Sequence, residues 1–141
     1  IDNIANLYFS CFGEDYDHTT EWGEKRYKRQ VAIREILISS AIVLLKQGFN
    51  VCIDTGFDGP YADEHIQHYI NDLRNYSPIL IGIICELSII EERERYREDR
   101  EVGLARKQLE EGIHNNRPYS FTIDTSNKSS KECTKLIFER L

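Results

Sequence analysis

Residues 91–101 read EERERYREDRE, in which every position except Tyr96 and Asp99 is Glu or Arg. A charge run of this kind is most often a solvated helix face, and Glu91 and Arg95 stand at the i,i+4 spacing of a favourable ion pair. The signs are nevertheless unevenly placed. At roughly 100° per residue, Arg93, Arg97 and Arg100 fall within about 60° of one another. Glu91, Glu94, Glu98 and Glu101 gather on a neighbouring stripe. Cations stacked at i, i+4 and i+7 repel by a few tenths of a kcal/mol per pair, so such a stripe makes most sense facing an anion. Ile89 and Ile90 set the start of that face against the core, which aims the arginines at a cleft.

Carboxylates at strand ends supply the complement. FNVCID, residues 49–54, is a short apolar strand closed by Asp54. A carboxylate so placed can hold magnesium directly or through water, or it can simply cap the loop. Ile1-Asp2 looks like the last step of another strand, and Asp2 there can accept or orient a hydroxyl proton. The plain alternative is that Asp2 caps a short helix expected from Asn3 to Cys11. A third strand ends in Asp124-Thr125-Ser126. A cation clamp, a metal-side carboxylate and a base together describe phosphoryl transfer far better than each does singly.

The elements that must position these groups follow from periodicity. After a polar loop from Phe12 to Glu24, Lys25–Gln47 reads as a long helix, apolar over enough of its circumference to be packed on more than one side, with Gly48 as its stop. Tyr61–Arg74 is a second helix. ILIGIIC, residues 79–85, is apolar on both faces, the mark of a buried parallel strand. The charged helix follows, then a break near Gly103, a helical piece from Leu104 to about Ile113, a strand at Tyr119–Ile123 and a closing helix from Lys131. Alternating strands and helices predict an α/β fold: a parallel sheet with helices on both faces, in one domain spanning 1–141 with a helical lid at about 91–113. In such sheets ligands bind beyond the carboxyl ends of the strands, where Asp2, Asp54 and the Asp124–Ser126 group are expected to share one rim.

The bulk numbers bound the function. A chain of 141 residues, 40% hydrophobic and 30% charged, is an ordinary globular composition, and its net charge of −6 argues against nucleic acid as a partner. The longest apolar run is too short to span a bilayer. Four cysteines without a CxxC pair, and no signal-peptide pattern, fit a reducing cytoplasmic setting. The chain contains no methionine and begins with Ile1, so a natural start ahead of Ile1 is expected.

IGIICELSIIEERERYREDREVGLARKQ, residues 81–108, with HNN at 114–116 and FTIDTS at 121–126, resembles the chloramphenicol phosphotransferase-like family of P-loop kinases. The family's pattern RExxRxDRxxGxAxKQ is met in full by Arg93, Glu94, Arg97, Asp99, Arg100, Gly103, Ala105, Lys107 and Gln108. Ile1-Asp2-Asn3 resembles the family's VDS segment, with Asn3 replacing its Ser. The resemblance implies a P-loop, nucleoside-kinase-like fold whose first strand lies between those matching 50–54 and 79–85. It implies ATP and Mg²⁺ as cofactors and a small-molecule hydroxyl as acceptor. It casts Asp2 as general base, Asp54 as the magnesium-side carboxylate, and Arg97 and Arg100 as lid groups on the phosphates. Arg93 either joins them or braces the helix, and Asp124, Thr125 and Ser126 line the adenine side. The sequence departs from the family in one respect: no GxxxxGK[ST] loop occurs in the 141 residues, so that loop and the first strand are expected upstream. Two alternatives stay open, a non-catalytic remnant serving as a binding module and a toxin-like kinase acting on a nucleotide sugar.

Overall fold

The computed structural model describes residues 4–7, 24–57, 61–97 and 102–141. The chain divides into two compact units, Ile1–Pro78 and Ile79–Leu141, each carrying a parallel two-stranded ladder.

The first unit contains β1 (Ile4–Leu7), α1 (Glu24–Lys46), β2 (Asn50–Ile53) and α2 (Ala62–Leu73), with a 3-10 turn at Arg74–Tyr76. β1 and β2 run in parallel, Ile4 opposite Asn50 and Leu7 opposite Ile53. This corrects the helix expected over Asn3–Cys11, whose described part is a strand. A short isolated helix leaves its terminal backbone groups open, whereas a ladder to β2 satisfies them; pairing overrides weak local preference.

Gly48 ends α1 at φ +83, a conformation that costs other residues more than glycine. Its N–H donates to Leu45 O and that of Phe49 to Leu44 O, which turns the chain straight into β2. Ile38 and Ala41 of α1 and Leu73 of α2 form the core, with Ile42, Leu45, Val51, Ile53 and Tyr69 packed against them.

The second unit contains β3 (Ile81–Ile84), α3 (Leu87–Arg95), α4 (Leu104–Glu110), β4 (Phe121–Asp124) and α5 (Ser130–Phe138). β3 and β4 are parallel, Ile81 opposite Phe121 and Ile84 opposite Asp124. A Cβ on Gly82 would lie 2.7 Å from Tyr119 Cδ2, so only glycine lets that ring lie on the strand. Ile123 is almost fully buried. Ser129 opens α5 with a capping box, its hydroxyl accepting from Glu132 N–H while the Glu132 carboxylate accepts from Ser129 N–H.

Ile36 and Val43 of α1 are exposed, as is Cys52 of β2, and Ile83 of β3 is 52% exposed. Side chains alternate across a strand, which matches the alternating exposure along β2. β2 and β3 belong to separate ladders. Among the described residues no helix is long and apolar enough to cross a membrane.

Candidate functional site

In the second unit the carboxyl ends of β3 and β4 are knotted together. Thr125 donates to Ile84 O from its N–H at 2.8 Å and from its hydroxyl at 3.1 Å. Asp124 Oδ1 accepts from Ser126 N–H at 2.9 Å and from Ser126 Oγ at 2.6 Å. The buried Ser126 hydroxyl oxygen in turn accepts from Glu86 N–H at 2.8 Å. These bonds form because Asp and Ser two residues apart in a turn satisfy backbone that the ladder has just released.

The Ser126 hydrogen bonds hold the Asp124 carboxyl below its ordinary pKa. A carboxylate depressed in the folded state adds stability that is complete above its unfolded pKa and is lost as pH falls through the folded value. Acidification below the usual carboxylate range is therefore expected to speed amide exchange at Ser126 and Glu86 beyond its intrinsic pH trend. Asp124→Asn should remove that excess, which amide exchange followed by NMR would read directly.

Arg93 joins this turn. Its Nη2 donates to Thr125 O at 2.8 Å, and its Nη1 lies 3.3 Å from Thr125 Oγ1 and 3.4 Å from Cys85 Sγ. Of the two roles open to it in the sequence, the described contacts are those of a brace. Two groups read separately in the sequence, Arg93 and the Asp124–Ser126 turn, thus meet.

The arginine stripe does not continue as one helix face. α3 stops at Arg95 with Tyr96 as its cap. Arg97 follows as an exposed residue whose N–H donates to Glu94 O at 3.0 Å, and Arg100 lies outside the described residues. Glu94 supplies the physical reason. It is only 2% exposed, and its carboxylate accepts from Gly103 N–H at 3.0 Å and Ala105 N–H at 2.8 Å. Those amides open α4, where backbone N–H groups have no partner within the helix and a negative charge is favoured. Gly103 makes the turn at φ +94.

Glu91 was expected to stay solvated beside Arg95; instead its Oε1 accepts from Arg106 Nε at 2.8 Å and Nη2 at 2.7 Å. The expected arm is therefore a helical hairpin tied by two glutamates. Glu94→Gln, which removes the charge at unchanged size, is expected to destabilise the protein by about 1.5–3 kcal/mol. Glu91→Gln should cost under about 1 kcal/mol because its pair is partly exposed. Urea unfolding of both variants checks the order.

In the first unit Asp54 follows β2 and is exposed. The next residue, Thr55, is hydrogen-bonded to the Tyr69 hydroxyl, whose pKa burial pushes up. Among the described residues no three His, Cys, Asp or Glu side chains gather as a ready-made metal cage. Magnesium does not require one: it takes one or two carboxylates and fills its remaining positions with water and phosphate oxygens. An exposed Asp54 suits that donor set. The strand expected to end at Ile1-Asp2 is corrected by β1, which begins at Ile4, so that Asp2 precedes its amino end in the sequence; Asp2 itself lies outside the described residues.

A family model described as chloramphenicol phosphotransferase-like protein matches residues 11–141. The chain belongs to this family. The match covers α1 to α5 and β2 to β4, and at family level it places the chain among phosphotransferase-like proteins. Within the chloramphenicol phosphotransferase-like motif, Arg93, Glu94, Gly103 and Ala105 have structural work here: Arg93 holds the β4 turn and the other three close the hairpin. No curated protein matches the chain.

The burial of two residues escaped the reading of sequence. Glu94 stands on the acidic stripe and in the motif, and its spacing from Gly103 and Ala105 is the signal for its burial over their amides. Arg34, a lone cation within the apolar run VAIREILI, is 7% exposed.

Proposed function

We propose that this protein is an ATP- and magnesium-dependent kinase that phosphorylates a hydroxyl group of a small molecule. The family match over residues 11–141 carries the reading, and the exposed Asp54 beyond the carboxyl end of β2 supports it. ATP supplies the γ-phosphoryl group, and magnesium neutralises charge developing on the phosphate oxygens. Asp54 would hold the magnesium, directly or through water. Asp2 would accept or orient the acceptor's hydroxyl proton. Arg97 and Arg100 would meet the phosphates from the α3–α4 connection, and the Asp124–Ser126 turn, braced by Arg93, would border the adenine.

This reading calls for a phosphate-cradling GxxxxGK[ST] loop, which the 141 residues do not contain. The test therefore uses the whole gene product. Purified protein, ATP and Mg²⁺ are incubated with a panel of small hydroxyl compounds beginning with chloramphenicol, and ADP release and phosphorylated product are measured. Acceptor-dependent, Mg²⁺-dependent product is the expected result. A whole gene product that binds ATP yet phosphorylates none of the panel would sink the small-molecule reading. One that binds no nucleotide would favour the second reading, a non-catalytic binding module.

A further inference from the structure

The buried stripe of α1 does not begin with an apolar residue. Arg34, Leu37, Ile38 and Ala41 stand at i, i+3, i+4 and i+7, and all four are buried, Arg34 at 7% exposure and Ala41 at 0%. A guanidinium so placed normally meets a carboxylate. Here Arg34 Nε and Nη1 are buried without a hydrogen-bond partner, and no carboxylate of the described residues pairs with the side chain. A desolvated, unpaired cation is among the least favourable groups a core can hold. It persists most readily where a ligand completes it.

The position of Arg34 supports a ligand. Arg34 lies twelve residues before the end of α1, a rise of about 18 Å. The chain then returns through β2, and Phe49 to Asp54 rises roughly 16 Å. Arg34 therefore stands level with Asp54 and Thr55, at the carboxyl end of β2 where α/β sheets bind ligands. Its charge lies close enough to Tyr69, the partner of Thr55, to offset part of the effect of burial on that hydroxyl. Arg34 also lines an open groove of about 490 Å³ between α1 and α2. Val31 and Ala32 give this groove an apolar wall, and Lys28 adds a second cation. Of its two carboxylates, Glu64 is engaged by His68 at 3.6 Å and Glu35 is exposed.

We propose that the α1–α2 groove is an anion subsite in which Arg34 receives a carboxylate or phosphate carried by the acceptor. The assignment of that anion to the acceptor rests on the kinase reading; the subsite itself does not. The protein would then select acceptors that bear both a hydroxyl for transfer and an oxyanion for anchoring. Arginine suits this task because its planar donors match either oxyanion.

The test begins without nucleotide, on the full chain, using inorganic phosphate and succinate as separate probes at constant ionic strength. Each probe's binding is followed by thermal shift and by titration calorimetry, for wild type, Arg34→Met and Arg34→Lys. Arg34→Met replaces a buried unpaired cation by an apolar side chain of similar length, so the fold is expected to survive or gain. The expected result is a rise in Tm of wild type with at least one probe, affinity weakened by about 10- to 100-fold in Arg34→Met, and partial retention in Arg34→Lys. Which probe binds identifies the oxyanion. No shift with either probe, or equal shifts in wild type and Arg34→Met, overturns the proposal. Anion binding that depends on Arg34, in a protein that transfers no phosphate, would instead sink the kinase reading and leave the subsite standing. Transfer to oxyanion-bearing acceptors at an undiminished rate in Arg34→Met would keep the kinase reading and overturn the assignment of that anion to the acceptor.

Discussion

Asp2→Asn is expected to lower transfer to the acceptor by roughly 10²–10⁴-fold, the usual effect of removing a positioned base, with nucleotide affinity nearly unchanged. The reasoning is one of charge and proton. An amide of the same shape can still accept a hydrogen bond from the acceptor hydroxyl, but it cannot take the proton as the new O–P bond forms. Asp54→Asn is expected to differ in kind. Its proposed work is on the metal side, so magnesium dependence and nucleotide affinity should weaken together. The competing account of Asp2 is a helix cap, a role Asn fills about as well as Asp. The strand at Ile4–Leu7 bears on both accounts, since the cap called for a helix beginning near Asn3 and the base for a strand ending at Asp2. Steady-state kinetics of both variants in the whole gene product decide the matter, and a fully active Asp2→Asn enzyme removes Asp2 from the mechanism.

Alanine at Arg97 or Arg100 is expected to reduce kcat by on the order of 10²–10³-fold, the loss typical of one donor aimed at developing charge. Arg95→Ala should change little, because it closes α3 as an exposed residue and an exposed charge contributes under about 1 kcal/mol. The structure sharpens this contrast. Since α3 ends at Arg95, Arg97 belongs to the connection toward α4 rather than to a rigid helix face. Its effect should therefore fall on turnover more than on folding, whereas Glu94, which closes that connection, should show the opposite split. Equal losses of kcat at positions 95, 97 and 100 would mean that the arginines act only as bulk positive charge.

The alternation of elements was legible from residue patterns alone. Gly48 after a long apolar helix, FNVCID, ILIGIIC and the break at Gly103 placed α1, β2, β3 and the α3–α4 turn close to where they lie, because glycine and apolar period act locally. The family, too, was legible, since its motif is carried by spacing along a short segment and the match extends over residues 11–141. Pairing across distance was not. Ile4–Leu7 is a strand only because Asn50–Ile53 lies beside it, and no local period announces a partner so far along the chain. Nor does a charge reveal its own partner. Glu91 had a suitable arginine four residues on, yet Arg106 takes it. Glu94 belongs to an acidic stripe but is buried over the first amides of α4, and Arg34, one charge in an apolar helix, sits in the core stripe with Nε and Nη1 lacking a hydrogen-bond partner. Composition and spacing determine which groups are present and which elements carry them. Which charge meets which donor depends on packing between elements, and there desolvation, which sequence does not display, decides the outcome.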